Sequence, residues 1–206
     1  APTETTEYTL VSQTPGCSSA PVPVLVTIYP DPVAVIGASP YTSLLPGMQT
    51  SLNSTITVSS TPTVTYQWQL DGADISGATS ASYIADINGL GNYSLEITDG
   101  NGCMGKSSNT VTIKDSISNA VFVYPNPTTG VFQIRYGNNV KDVTGVARTV
   151  NIYDNKGARV FTKGYSVNAP FQRMDVDLTG RSKGMYLIEV LDRAGKRLAS
   201  ERVIVY

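Results

Sequence analysis

The segment VNIYDNKGARV, residues 150–160, decides the fold class of this chain. Val150 and Ile152 are separated by one polar residue, which gives the two-residue period of a half-buried strand. Asp154 then begins a turn in which Gly157 can take the positive φ that a short hairpin loop requires. The segment therefore predicts a β-hairpin.

A near copy of this hairpin, YLIEVLDRAGKRL, occupies residues 186–198, and the composition extends the same prediction to the whole chain. The 206 residues include 18 Gly and 12 Pro, with abundant Val, Thr, Ser and Tyr between them. Such residues favour pleated strands separated by turns. No segment repeats apolar residues at helical spacing, and none approaches the roughly 20 apolar residues of a membrane span. We expect an all-β chain of antiparallel sandwiches.

Charge divides the chain into two parts. Residues 1–114 carry eight acidic and two basic side chains, whereas residues 115–206 carry eight acidic and thirteen basic ones. A short polar segment, KDSISN, lies at the change and resembles a linker. We therefore predict one sandwich at residues 30–114, a linker at 115–120 and a second sandwich at 121–206.

A partial internal repeat precedes the first sandwich. Residues 8–28 and 93–113 share a strand, a Gly-Cys turn and a closing strand with Val-Thr-Ile. Because the second copy closes a complete domain, residues 1–29 are interpreted as the last hairpin of a truncated preceding repeat. The polar start of the chain agrees with a fragment or a processed product. Cys17 and Cys103 occupy matching turns, so we do not expect a bond between them within one molecule.

The composition argues against catalysis. The chain has no histidine and two cysteines, so it cannot assemble a Ser-His-Asp triad or the usual zinc sites. The turn at residues 99–102 lacks the run of oxygen ligands of a calcium loop. We predict that the protein is not an enzyme and needs no cofactor or metal.

Three segments of the first sandwich resemble the immunoglobulin-like fold. Residues 47–54 have the spacing of its second strand, residues 66–72 resemble the strand with the core tryptophan, and residues 88–93 resemble its tyrosine corner. In that fold two cysteines often join the sheets. Leu95 and Ser54 are expected at those places, so this disulfide would be absent. The core around Trp68 would then be stabilised by packing alone.

The second sandwich resembles the type A sorting domain of the Bacteroidetes type IX secretion system. VYPNPTTGVFQI, residues 123–134, resembles its opening, and the hairpin quoted first resembles its central hairpin. DLTGRSKGMYLIEV, residues 177–190, and KRLASERVIVY, residues 196–206, resemble its last two strands. The four segments occur in the family's order.

This resemblance implies a secreted protein, delivered to the outer-membrane surface or the medium. Its partners would be the type IX translocon and a sortase-like processing enzyme that cleaves in the linker and attaches the cargo to the surface. No nucleic-acid partner is expected. The residues nominated for recognition of the sorting signal are Pro125, Asn126, Pro127, Gly130, Gly184, Tyr186, Lys196, Arg197, Arg202, Val203 and Val205.

Three further hypotheses remain open at this point. The hairpin of residues 1–29 could exchange strands with like subunits in an extracellular filament. The tyrosines could belong to a carbohydrate-binding accessory module. Ser116 lies in an Asp-Ser-Ile sequence that resembles a Bacteroidetes glycosylation site.

Overall fold

A computed structural model describes residues 2–137 and 146–206, and every regular element in these two ranges is a β-strand. The strands of the first half are β1 (Thr6–Leu10), β2 (Gln13–Thr14), β3 (Cys17–Ser18), β4 (Val22–Val26), β5 (Val33–Ser39), β6 (Ser43–Leu44), β7 (Gln49–Val58), β8 (Val64–Leu70), β9 (Ala73–Asp74), β10 (Ser82–Asp86), β11 (Gly91–Asp99), β12 (Met104–Lys106) and β13 (Val111–Asp115). The second half contains β14 (Val121–Tyr124), β15 (Val131–Tyr136), β16 (Val146–Tyr153), β17 (Arg159–Val167), β18 (Met174–Asp177), β19 (Gly184–Leu191) and β20 (Arg197–Val205). The predicted all-β class is confirmed.

The strands form sheets of the kind that immunoglobulin-like sandwiches use. One sheet has the order β10-β7-β5, and another has the order β6-β13-β11-β8-β9, with β12 beside β11. The C-terminal region contains a three-stranded sheet, β14-β15-β18, and a four-stranded sheet, β17-β16-β19-β20. Apart from the parallel β6–β13 pair, the registered pairs are antiparallel.

The chain forms two compact units. The first unit contains Ala1–Pro40, Ser51–Ile84 and Gly91–Thr112, and the second contains Tyr41–Thr50, Ala85–Leu90 and Ile113–Tyr206. Two short segments of the stretch predicted as the first sandwich thus cluster with the C-terminal residues. This grouping differs from a single cut at the linker.

The core of the first unit contains the tryptophan that the sequence singled out. Trp68 is fully buried, and its indole Nε1 donates to the carbonyl oxygen of Ser80 at 2.9 Å. Tyr83 lies 5.9 Å from the ring centre of Tyr93, which is also fully buried. Leu95 is buried as expected, but Ser54 is half-exposed, and its hydroxyl donates to the Ala81 carbonyl.

The core of the second unit has a regular alternation at its centre. On β19, Tyr186, Ile188 and Val190 are buried, and the intervening side chains face outward. On β20, the last strand, Val203 and Val205 are buried in the same cluster. Burying alternate apolar side chains between two sheets is the main stabilising term of such a sandwich.

The N-terminal hairpin buries little of its own surface. Strands β1 and β4 pair with Tyr8 opposite Val24 and Leu10 opposite Val22. Opposed residues lie on one face of a sheet, so this face is apolar. All four of these residues are nevertheless exposed.

Candidate recognition site on the C-terminal strand

Strand β20 runs antiparallel to β19 along its inner edge. Gly184 pairs with Val205 and Tyr186 pairs with Val203, with a register shift at Val190/Leu191. The Tyr186 hydroxyl donates to the carbonyl oxygen of Ser182, four residues upstream. These pairs bring four of the nominated residues together at the end of the last strand.

The Gly184-Met-Tyr186 turn has the geometry of a tyrosine corner. Gly184 and Gly91 both have a φ of +148°, and each is followed two residues later by a buried tyrosine. A tyrosine that hydrogen-bonds a backbone group a few residues upstream is characteristic of sandwich corners. The Gly184–Tyr186 segment thus positions β19, and Tyr186 presents no accessible side chain.

The loop at residues 125–127 lies against the outer edge of β20. The peptide bonds before Pro125 and Pro127 are cis. The Asn126 side chain donates from Nδ2 to the Arg202 carbonyl at 2.9 Å, and its Oδ1 accepts from the Ile204 amide at 3.0 Å. One side-chain amide therefore makes the two hydrogen bonds that a neighbouring strand would make.

Thr128 continues this pairing to the last residue. Its amide donates to the Ile204 carbonyl at 2.8 Å, and its carbonyl accepts from the Tyr206 amide at 3.0 Å. Val205 and Thr128 form a parallel bridge. The Thr128 side chain is buried, and its hydroxyl oxygen accepts from the Gly130 amide at 3.1 Å.

The nominated residues fall into three groups by accessibility. Tyr186, Val203 and Val205 lie in the core, and Gly130 is buried in the turn that follows the loop. Alternation explains the two valines, since residues two apart on a strand share one face. Gly184 is half-buried. The exposed members are Pro125, Asn126, Pro127, Lys196, Arg197 and Arg202.

Lys196 and Arg197 lie away from the other nominated residues. Lys196 lies just before the last strand, and Arg197 begins it. At about 3.3 Å per residue, Arg197 is roughly 26 Å along β20 from Val205. Arg197 Nη1 contacts Glu189 Oε1 at 3.1 Å, and its side chain is largely exposed. Such an exposed pair contributes little to stability.

The outer face of β19 and β20 carries residues that the sequence reasoning missed. Met185 lies opposite Ile204, and Leu187 lies opposite Arg202. All four side chains are exposed, as is that of Tyr206. The alternation that buries Val203 and Val205 turns Ile204 outward, and this alternation becomes a usable signal once the pairing with β19 fixes the buried face.

A cleft of about 370 Å³ adjoins this face at Met185 and Tyr186. Its wall includes the basic side chains of Lys156, Arg181 and Lys183. Its acidic residue, Asp154, already accepts hydrogen bonds from the backbone amides of Lys156 and Ala158, each at 2.9 Å. The cleft therefore presents more positive than negative charge.

The described residues hold no group of three or more metal-ligating side chains. The Asp99 carboxylate, in the turn at residues 99–102, accepts from the Ser60 hydroxyl through Oδ2 and from the amides of Asn101 and Cys103 through Oδ1. The Ser60 hydrogen bond is the main reason that the pKa of Asp99 lies below its usual value. The Asp99 carboxylate therefore serves as the hydrogen-bond acceptor that stabilises this turn.

The predicted linker is irregular except at Asp115, which ends β13 and pairs with Leu44. Residues 116–120 belong to no strand, and Ile117 is exposed. The Ser116 amide donates to the Leu44 carbonyl at 2.8 Å, and its side chain is half-exposed.

No helix among the described residues is long and apolar enough to cross a membrane.

The C-terminal sandwich is similar to a known class of targeting domain. Residues 122–206 match the family model described as the secretion system C-terminal sorting domain. The resemblance to a type IX sorting domain is therefore confirmed for this region. Such a domain indicates an exported protein, located at the outer-membrane surface or outside the cell.

Comparison with curated proteins gives no match. Among solved structures, domains A168–A170 of titin are 13% identical over 98% of this chain and 75% of that one, with a TM-score of 0.28. The BSP domain of a biofilm-associated protein is 15% identical over 83% of this chain and 29% of that one, with a TM-score of 0.31. The chicken interferon gamma receptor alpha chain is 12% identical over 86% and 99%, with a TM-score of 0.29. Scores this low carry no argument about function.

Proposed function

We propose that residues 121–206 act as a sorting signal that the type IX translocon recognises. As a result, the chain crosses the outer membrane and is attached to the cell surface. The observation that supports this proposal is the family match over residues 122–206. A sorting role requires no catalysis, and the chain lacks histidine. We therefore propose that these residues themselves are not catalytic.

Processing is proposed to occur in the linker at residues 115–120. A protease needs an extended, accessible backbone, and exposed irregular segments supply it. Ile117 is 80% exposed, and residues 116–120 belong to no strand. A sortase-like enzyme cutting here would separate the sorting domain from the residues before it.

The export role is tested with the full chain. A fluorescent protein carrying a periplasm-directing signal is fused ahead of residue 1 and expressed in a host with a working type IX system. We expect fluorescence at the surface or in the medium, and periplasmic retention in a translocon mutant of the same host. Periplasmic retention in the intact host would contradict the proposal.

A second candidate function, self-association through the N-terminal hairpin, is favoured by one observation. The apolar face of β1 and β4 is uncovered, and a two-stranded hairpin is at best marginally stable in water by itself. The side chains of this face carry no charge, so two copies can oppose it without electrostatic repulsion. We propose a second copy of the chain as its occupant.

Two matched substitutions test this association. Val24 is 43% exposed on the apolar face, and its neighbour Leu25 is 63% exposed on the opposite face. We expect sedimentation of the wild type to show concentration-dependent dimers that Val24→Ser weakens and Leu25→Ser preserves. A monomer at every concentration, or an equal effect of both substitutions, would exclude the apolar face as the contact.

A further inference from the structure

The outer edge of the last strand is already occupied where the nominated residues gather. The Arg202 amide donates to Glu201 Oε1 at 2.9 Å, and the Arg202 carbonyl accepts from Asn126. The Ile204 amide donates to Asn126 Oδ1, and the Ile204 carbonyl accepts from the Thr128 amide. The Tyr206 amide donates to the Thr128 carbonyl. A partner strand that paired with this edge would have to displace these bonds.

The outer face of the same strands is open. Met185, at 50% exposed, lies directly opposite Ile204, at 48% exposed, and Leu187 is opposite Arg202. Tyr206 follows on the same strand face as Arg202 and Ile204. We name these five residues the outer β19–β20 face. Methionine, tyrosine and arginine are enriched in protein interfaces, and contiguous exposed apolar residues often mark them.

Charge specifies the partner further. Among the contacts of the described residues, the Arg202 guanidinium has no hydrogen bond or ion pair, so it is available to an incoming acceptor. Next to the face lies the cleft with Lys156, Arg181 and Lys183, whose one carboxylate is held by its own turn. An apolar centre with a basic surround complements an apolar segment flanked by carboxylates.

We propose that the outer β19–β20 face, and not the edge of β20, is the surface by which the folded sorting domain is recognised. Its partner is a protein component of the export machinery that presents apolar side chains flanked by Asp or Glu. This inference rests on the proposed export function. It assigns Met185, Leu187, Ile204 and Tyr206 to recognition, and it gives Val203 and Val205 a structural role.

The experiment uses the same fluorescent fusion of the full chain. The double variant Met185→Ser/Ile204→Ser removes the apolar centre without touching the buried cluster. We expect export to fall by at least about tenfold, since both apolar side chains at the centre of the proposed contact are lost. The matched control is Val131→Ser, because Val131 is 55% exposed on β15 of the other sheet.

A charge reversal provides an independent variant that does not depend on apolar contacts. Arg202→Glu is expected to lower export several-fold, because it would oppose the partner's carboxylates. Arg193→Glu introduces the same change in the exposed turn between β19 and β20, and export should stay at the wild-type level. Thermal unfolding of all four purified variants should match the wild type.

The outcomes separate the two proposals. Retention of the wild-type fusion in an intact host would refute the export function itself. Normal export of the wild type, with unchanged export of both the double variant and Arg202→Glu, would overturn the outer face as the recognition surface. Equal losses in the two control variants would also overturn it, because the effect would then not be specific to the face.

Discussion

Two hairpins of related sequence occupy opposite environments in this protein. In the segment at residues 93–113, Tyr93 and Leu95 are fully buried and Ile113 is almost so. In the segment at residues 8–28, Tyr8 and Leu10 are exposed by 46% and 65%. Both segments begin with Tyr-x-Leu and continue to a Gly-Cys turn.

The difference lies in what faces each hairpin. Strand β11 pairs with β8 over seven residues, and its inward side chains join the core that contains Trp68. Among the described residues, strand β1 pairs with β4 alone. An alternating pattern therefore predicts which side chains share a face, whereas the burial of that face depends on a second sheet.

The largest expected contrast comes from removing the equivalent tyrosines. We predict that Tyr93→Ala lowers the free energy of unfolding by about 3–5 kcal/mol, because it leaves a large cavity in a closed core. At a concentration where the chain is monomeric, Tyr8→Ala should change it by less than about 0.5 kcal/mol, since the Tyr8 side chain is exposed. Denaturant titration followed by fluorescence of Trp68, the single tryptophan, reports on the first unit.

Two controls accompany this measurement. Tyr93→Phe keeps the ring and should recover most of the loss, which separates ring packing from the hydroxyl group. If Tyr8→Ala were as destabilising as Tyr93→Ala, the N-terminal hairpin would have to be packed in solution, and the contrast between the two copies would disappear.

A smaller contrast is expected between the cysteines of the two turns. Cys17 is exposed and Cys103 is half-buried, and both are free thiols. Burial, followed by the negative charges of Asp99 and Asp31, raises the pKa of Cys103. Because the thiolate is the reactive form, we predict that iodoacetamide alkylates Cys17 a few-fold faster than Cys103 near pH 8.

The raised pKa of Cys103 also predicts how the ratio of the two alkylation rates changes with pH. A raised pKa means that the Cys103 thiolate forms only at higher pH, so the ratio of the two rates should narrow as the pH rises. Peptide mass spectrometry on a time course at several pH values measures both rates in one sample. Equal rates at pH 8 would show that the two turns are equally accessible.

Much of the C-terminal region follows from local sequence. Asp154 and Gly157 specify the first hairpin quoted, and the structure has a turn there between β16 and β17, with Gly157 at a φ of +79°. The corresponding turn at Gly195 has a φ of +82°. These features need only residues that are close along the chain, so the sequence pattern suffices to predict them.

The closure of the last strand could not be predicted in the same way. Asn126 contacts Arg202 across 76 residues, and nothing in the Pro-Asn-Pro segment specifies that its amide takes the place of a strand. The nomination of Pro125, Asn126 and Pro127 beside Arg202 came from a family resemblance. The hydrogen bonds that join them are a property of the folded sandwich alone.

The alternation of side chains along β20 explains why two of the residues predicted for recognition, Val203 and Val205, are buried. Both Val203 and Ile204 are β-branched and apolar, and sequence alone leaves open which of them faces the core. The pairing of Tyr186 with Val203 settles the choice, because the tyrosine is buried at its corner. Ile204 then has to face outward.

The parallel attachment of Thr128 to β20 also has a mechanical consequence. Residues 126–128 lie close to the entry of the sandwich, and Arg202 to Tyr206 lie at its exit, so tension between these ends acts along the hydrogen-bonded segment. The two bonds of Asn126 and the two of Thr128 would then share the load and break together. A domain held in this way resists stretching in shear, whereas separating β19 from β20 at their turn would open bonds one after another.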